Sequence, residues 1–379
     1  MYSGNFSVPS PGAWELNQTH FTRPMSRWLS EFYPSAMVRG FKETTSRYGA
    51  LLDYMDVAIV EGFVYLCPRP VAAPKTAKGP PPKLVFKILS LLHPQIRKRI
   101  RQSELVFASK LWREDVARWD NEWLPEIKAT NDALQAIEPA ELDQAGLVAH
   151  LGACRVALDH AIYRHHSLNL CCMLPTGDLL VHAAQWTKLP VRDLLRLLSG
   201  ASKVSIGAAS ELSLIATAIE NDPESASALA ASASAPATLA ALQRLPSSVA
   251  HAMEAYLAVV GHRILSGYDV ADLTALEVPE ALVNAIRSTV FIRRSRASAG
   301  DDIVAETARV RELVPLAHRE QFDGLLNEAR LTYRIRDERA YSNDSRTLGL
   351  ARRALLEAGR RLVKAGRRRY RVDHHDADV

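Results

Sequence analysis

The stretch Val314–Leu362, VPLAHREQFDGLLNEARLTYRIRDERAYSNDSRTLGLARRALLEAGRRL, decides how the rest of the chain is read. Leu316, Phe322, Leu325, Leu326 and Ala329 fall at helical intervals, and so do Leu348, Ala351, Leu355, Leu356 and Leu362. Such spacing collects apolar side chains on one face of a helix, so each flank is expected to be an amphipathic helix with a buried stripe. Between the flanks a cationic cluster of Arg334, Arg336, Asp337, Glu338 and Arg339 interrupts the pattern. Guanidiniums and carboxylates packed this closely make either a solvated helix turn with internal ion pairs or a site for an anion.

Outward from this stretch the helical period persists. It runs through 83–109, 112–137, 143–173, 191–200 and 212–221, so the chain from Leu84 onward reads as almost entirely helical. Residues 224–245 are rich in Ala and Ser, and Leu229, Leu239 and Leu242 favour two short helices broken at Pro236. Only VAIVEGFVYLCPRPV, 57–71, reads as strands: two apolar runs flank Glu61-Gly62, a hairpin signal. The expected fold is mainly α. It has an N-terminal segment with a β-hairpin (1–72), a Pro-rich linker (73–83), a large helical domain (84–372) and a flexible tail (373–379).

A chain of 379 residues, 47% of them hydrophobic, can bury a sizeable core. It contains no uncharged apolar run of membrane-spanning length, and MYSGNFSVPSPGAW lacks the basic start and apolar core of a signal peptide, so a cytoplasmic location is expected. Cys67, Cys154, Cys171 and Cys172 are not spaced as metal-binding pairs and read as reduced packing residues. The net charge is +5, yet Arg352–Arg371 alone holds nine basic side chains against Glu357, a local balance of +8, which leaves about −3 for the remainder. The excess basicity marks one end, not the whole protein.

Among the histidines, His160, His165 and His166 share one expected helix, and His182 precedes Trp186 by one turn. An imidazole inside a helix is more often a hydrogen-bonded packing residue than a catalyst, and adjacent His165 and His166 are poorly placed to chelate one ion. No metal site is expected. His20, in THFTRP, lies outside regular helix beside Arg23 and Pro24, where a scaffold can present it for chemistry. The sequence has no GxxxxGK[ST], GxGxxG or GxSxG motif.

Three stretches carry a family resemblance. Tyr333-Arg334-Ile335-Arg336-Asp337-Glu338-Arg339 with Tyr341 and ARRALLEAGRRL, the segment AYLAVVGHRILSGYDV with Gly261, Arg263 and Asp269, and the opening PGAWELNQTHFTRPMSR are similar to the substrate-binding region of phosphoenolpyruvate-synthase-like and rifampin-phosphotransferase-like dikinases. Members often have a Glu two residues before the Asp of the second motif, where this chain has Gly267. The resemblance implies an acceptor-binding subunit of a split enzyme. Its partner, with ATP-grasp and phosphohistidine domains, is expected to hold ATP and Mg²⁺, and this chain itself to bind no cofactor. The opening segment resembles that of the two-subunit 4-hydroxyacetophenone and acetovanillone kinases, which implies a small phenolic acceptor.

On that reading Arg336 and Arg339 neutralise the phosphoryl group, since guanidinium forks match its oxygens. The candidate bases are His20, His182 and Asp337, and Arg263, Tyr333, Trp186 and Arg23 are expected to contact substrate. The alternative from another class is a non-catalytic helical adaptor that binds nucleic acid or an acidic protein through Arg352–Arg371. Against it, only Tyr370 supplies an aromatic ring within the basic run.

Overall fold

Glu61 and Gly62 both take positive φ, 52° and 83°, the backbone of a two-residue turn that matches the twist of the strands it joins. The computed structural model describes residues 8–77, 79, 81–202, 209–231, 234–244, 247–295 and 299–367. Around that turn β1 (Glu15–Leu16), β2 (Leu52–Val60) and β3 (Phe63–Pro70) form an antiparallel sheet of order β1-β3-β2. The rest of the described chain is mostly helical.

Helices α1 (Arg27–Ser30) and α2 (Tyr33–Arg47) connect β1 to β2. After the proline-rich stretch come α3 (Lys83–Leu92), α4 (Pro94–Ser109), α5 (Trp112–Arg118), α6 (Leu124–Ala136), α7 (Gln144–Ser167), α8 (Asn169–Thr187) and α9 (Val191–Leu195). Next, α10 (Ala209–Glu220), α11 (Pro223–Ala230), α12 (Ala235–Arg244), α13 (Ser247–Val260) and α14 (Pro279–Ser295) enclose a core of their own around Ile215, Leu242, Met253 and Ile286. The expected break at Pro236 falls instead in the first turn of α12, where proline has no intrahelical donor to lose. The chain closes with α15 (Ala299–Leu313), α16 (Arg319–Glu338) and α17 (Arg346–Lys364). The tail and the final basic residues, Arg368, Arg369 and Arg371 with Tyr370, His374 and His375, lie outside the described residues.

Both flanks of the deciding stretch are helical as expected, but Leu316 stands exposed in a short turn before α16 and Leu362 is exposed near the end of α17. Neither joins a buried stripe, and the part between the flanks differs as well. The cationic cluster does not interrupt the helix: α16 runs through it to Glu338, and Arg339–Ser345 continues into α17 as a π-helical turn. A π turn rotates the side chains that follow relative to those before it, a distortion frequent at functional sites. Helix α8 packs along α16, and α7 packs against both α2 and α17. Phe21, Leu29, Met37, Val64, Leu158, Leu348 and Ala351 join sheet and helices into one buried cluster. A second anchor is Glu328, which accepts hydrogen bonds from Trp112 Nε1 at 2.8 Å, Lys110 Nζ at 2.9 Å and Arg113. Burial raises the pKa of Glu328, but these donors overcome that and hold it down at about 2.

Gly349, one turn into α17, lies against the loop that follows α13. A Cβ there would sit 1.6 Å from the carbonyl oxygen of His262, so no side chain fits without moving backbone. Overpacking of this kind costs about 1–3 kcal/mol. Gly349→Ala is therefore expected to lower the unfolding free energy by that amount, seen as a lower urea midpoint at unchanged slope, and an unaltered midpoint would show that α17 and the loop do not meet this closely.

Candidate functional site

Stretches far apart in sequence close on one cavity of about 520 Å³ between α2, α7, the sheet and the π turn. Its walls are chiefly apolar, with Phe21, Met37, Phe41, Leu158, Ile162 and Leu348 among them. Its polar lining includes His20, His165, His166, Tyr268, Arg339 and Asp344. An apolar pocket with a small set of convergent polar side chains is the usual form of a small-molecule site.

Arg339 is the central polar group. It is 6% exposed and donates from Nη1 to the carbonyl of His165, while its Nε is buried without a partner and no described carboxylate forms an ion pair with it. A buried guanidinium with an unused donor is costly unless an anionic or strongly accepting group completes it. Asp344, five residues on in the same π turn, instead bonds to His165 Nδ1 and accepts from Asn343 Nδ2 at 2.9 Å. Burial pushes Asp344 up to about 8, against the pull of Arg339 and Asn343. Burial, then the charge of Arg339, pushes His165 well below its usual value. The two side chains keep 22% and 12% exposure.

His166 stacks on Phe41 with ring centroids 5.0 Å apart. Across the cavity, His20 Nδ1 lies 3.0 Å from Asn17 Oδ1, its ring stands edge-on to Tyr268 at 5.0 Å, and burial lowers its pKa. Burial and the nearby Asp344 raise the pKa of Tyr33, so its phenol stays neutral. The loop bearing Tyr268 is fastened to the opening segment. Asp269 Oδ2 accepts from the backbone of Ser26 at 2.7 Å, and Asp272 pairs with Arg23 at 2.5 Å. Gly267 has φ of +88°, and a Cβ on it would fall 2.2 Å from the Asp272 carboxylate. The carboxylate of Asp272 thus occupies the space a side chain at 267 would need.

Of the residues singled out in the sequence, His20 and Arg339 line this cavity, whereas Arg23, Arg263, Arg336, Asp337, His182, Tyr333 and Trp186 do not. Arg336 is exposed beside the cavity's helix, donating to Tyr333 Oη at 2.6 Å and lying 3.8 Å from Asp337. Hydrogen bonding with Cys171 lowers the pKa of the buried Cys172 thiol against its desolvation, and the charges of Arg339 and Arg336 add to that pull. Arg334 is spent on Asp120 and Glu338. His182 lies 3.1 Å from Asp178 and beside Trp186, which stacks on His318. Arg263 is buried over the ring of Tyr341 at 5.0 Å.

His165 and His166, read from sequence as packing residues, both border the cavity, and Asp344 and Tyr268 were not singled out at all. Nothing in the spacing marks a pair separated by 179 residues. Among the described residues no cluster of His, Cys, Asp and Glu is arranged to hold a metal, and no helix is long and apolar enough to cross a membrane.

The fold is mainly helical and encloses an apolar cavity bordered by polar side chains. Residues 176–337 match the family model of the rifampicin phosphotransferase fourth domain, which supports a place among the phosphoenolpyruvate-utilising, rifampicin-phosphotransferase-like proteins and a part in phosphoryl transfer. The matched span contains Arg263, Tyr333 and Arg336 and ends just before Arg339. No curated protein and no solved structure gave a match.

The raised pKa of Asp344 makes stability depend on pH. The folded chain keeps a proton on Asp344 up to about 8, whereas the unfolded chain releases it near 3.8. The folded state therefore binds more protons between these values, and the stabilisation is full below the lower one and lost as pH climbs to the upper. His165 acts in the opposite direction only below 6.5. Between pH 6.5 and 8 wild type is expected to lose about 1.5 kcal/mol relative to Asp344→Asn. Urea titrations of both proteins check this, and parallel pH profiles would place the Asp344 proton elsewhere.

Proposed function

We propose that this chain is the acceptor-binding subunit of a split ATP-dependent dikinase and that the cavity holds a small phenol such as 4-hydroxyacetophenone. The partner, bearing ATP-grasp and phosphohistidine domains together with ATP and Mg²⁺, supplies the phosphoryl group. The observation that carries this reading is Arg339, a buried guanidinium that no described carboxylate pairs with and that borders an apolar cavity of about 520 Å³. An aromatic ring suits the Phe21, Phe41 and Leu158 walls, and its oxygen suits the guanidinium.

In the reaction the phenol loses its proton to a base and the phenolate oxygen bonds to phosphorus. The phosphorus–nitrogen bond to the partner's histidine breaks, and its electron pair stays on that imidazole. A phenol suits such a step because its pKa, near 10, leaves the base less to do than an alcohol would. Arg339 holds the oxygen from inside. Arg336, exposed one turn before Arg339 on the same helix, is placed to meet the phosphoryl oxygens of an arriving donor, where charge spreads in a loose transition state.

The adaptor reading loses ground. Arg352 pairs with Glu277, Arg353 donates to carbonyls at the end of α6, and Arg361 is held by Glu357 and the carbonyl of Leu142. These cations are spent within the fold.

A tagged pull-down followed by ATP and a panel of phenols tests the proposal. Recovery of a protein with ATP-grasp and histidine domains, together with AMP and an aryl phosphate, is the expected result. Nucleic acid or unrelated proteins without phosphoryl transfer would sink it. Within the reconstituted pair, Arg339→Gln is expected to weaken phenol binding about tenfold. Arg336→Ala is expected to leave binding intact and to cut transfer about a hundredfold. In both variants the partner's histidine should still be phosphorylated, and loss of that step would assign these arginines to the partner interface instead.

A further inference from the structure

We infer that His165, held by Asp344, is the base that takes the acceptor's proton, a deepening that rests on the phenol-binding reading of the cavity. His165 lies in the last turn of α7 at the cavity wall, and its Nδ1 is bonded to the Asp344 carboxyl. Its Nε2 has no hydrogen bond among the described residues, while the ring keeps 22% exposure. The free ring nitrogen therefore remains available to a bound molecule. Arg339 donates to the backbone carbonyl of the same residue, so the guanidinium that receives an oxyanion and the imidazole that receives its proton are fixed to each other. An imidazole oriented by a carboxyl at its far nitrogen is the arrangement by which a neutral histidine becomes an effective base.

The groups facing this pair are Arg339 and Asn343 from the π turn, His166 from α7, and His20, Tyr33 and Tyr268 from the segments opposite. Arg339 and His20 both disfavour a lone imidazolium at His165. The Asp344 carboxylate compensates once the pair has lost its shared proton. In that form Asp344 accepts from Nδ1 and the Nε2 lone pair faces the cavity. Transfer moves the phenol proton to Nε2 and leaves the O–H electron pair on the phenolate oxygen beside Arg339. After phosphoryl transfer that proton passes to solvent or to the departing imidazole of the partner. Burial sets the Asp344 carboxyl at about 8, so the fraction in the accepting form grows as pH rises through that value. His166 is less suited: it stacks on Phe41, and its Nδ1 faces Asn169 at 3.3 Å. His20 is the rival base, since it borders the same cavity.

The test needs neither partner nor ATP. The full chain is mixed with 4-nitrophenol, whose phenolate is yellow and whose neutral form is not, and the bound dye is titrated with pH. Wild type is expected to bind the dye with a lower ionisation midpoint than either variant. His165→Gln should still bind it but raise the ionisation midpoint by about one unit, a tenfold change in the phenolate-to-phenol ratio. Asp344→Asn should raise it in the same direction with His165 intact, a spectral change that loss of packing alone does not produce. Circular dichroism verifies folding, and if His165→Gln does not fold, Asp344→Asn carries the decision. A midpoint unmoved in the folded variants overturns the inference, and a midpoint moved only by His20→Gln gives the role to His20. If wild type binds no 4-nitrophenol, the phenol-pocket reading itself fails and takes the inference with it.

Discussion

A seam of buried polar bonds along the π turn determines where everything else can go. Arg339 reaches the carbonyl of His165, Asn343 donates to the carbonyl of Ala161 at 2.6 Å, and Asn131 of α6 donates to the carbonyl of Ser342 at 3.0 Å. Thr347 bonds both to Asn131 and back to the carbonyl of Asn343. Buried polar groups are expensive unless paired, so a register that satisfies this many at once excludes its neighbours. The π turn is thereby fixed against α6 and α7, and Arg339 and Asp344 both border the cavity.

From that seam the two halves of the site follow. α17 leaves the turn with Leu348 and Ala351 in the main core, and Gly349 lets the loop after α13 approach its backbone. That loop carries Tyr268, and through Asp269 and Asp272 it holds the opening segment with His20. Each bond is modest on its own. In series they tie a residue near the N-terminus to a turn more than three hundred positions later.

The helical flanks of the deciding stretch were legible because burial repeats with the helical period, and the hairpin was legible because Glu61-Gly62 has the backbone freedom its turn requires. The π turn was not, since one additional residue in a helical turn leaves no mark in composition. The same insertion separates the fates of two arginines that look alike in sequence. Arg336 faces solvent on a regular turn, whereas Arg339, three positions on, begins the widened turn and is buried. The pairing of His165 with Asp344 was equally invisible, because it depends on two helices meeting and not on spacing along either. Gly267 shows the converse. From sequence it is a missing carboxylate. In space, the Asp272 carboxylate stands where its side chain would go and pairs with Arg23.

The electrostatics of the cavity distinguish a binding site from a packing fault. A protein selected only for stability would place the Asp344 carboxylate on the Arg339 guanidinium, since an unpaired buried charge is the more costly arrangement. Here the carboxyl faces His165, its proton is retained by burial, and the guanidinium keeps an unused donor. Stability is thus given up at Arg339, as it is at Asn343 Oδ1 and Arg346 Nε beside it. A molecule that brings a partial or full negative charge on a small apolar frame would recover it, because its oxygen completes Arg339 while its frame covers the leucine and phenylalanine walls. On the proposed reading the same oxygen would lie beside His165, whose orientation Asp344 sets, so binding and proton removal would share a single structural cause.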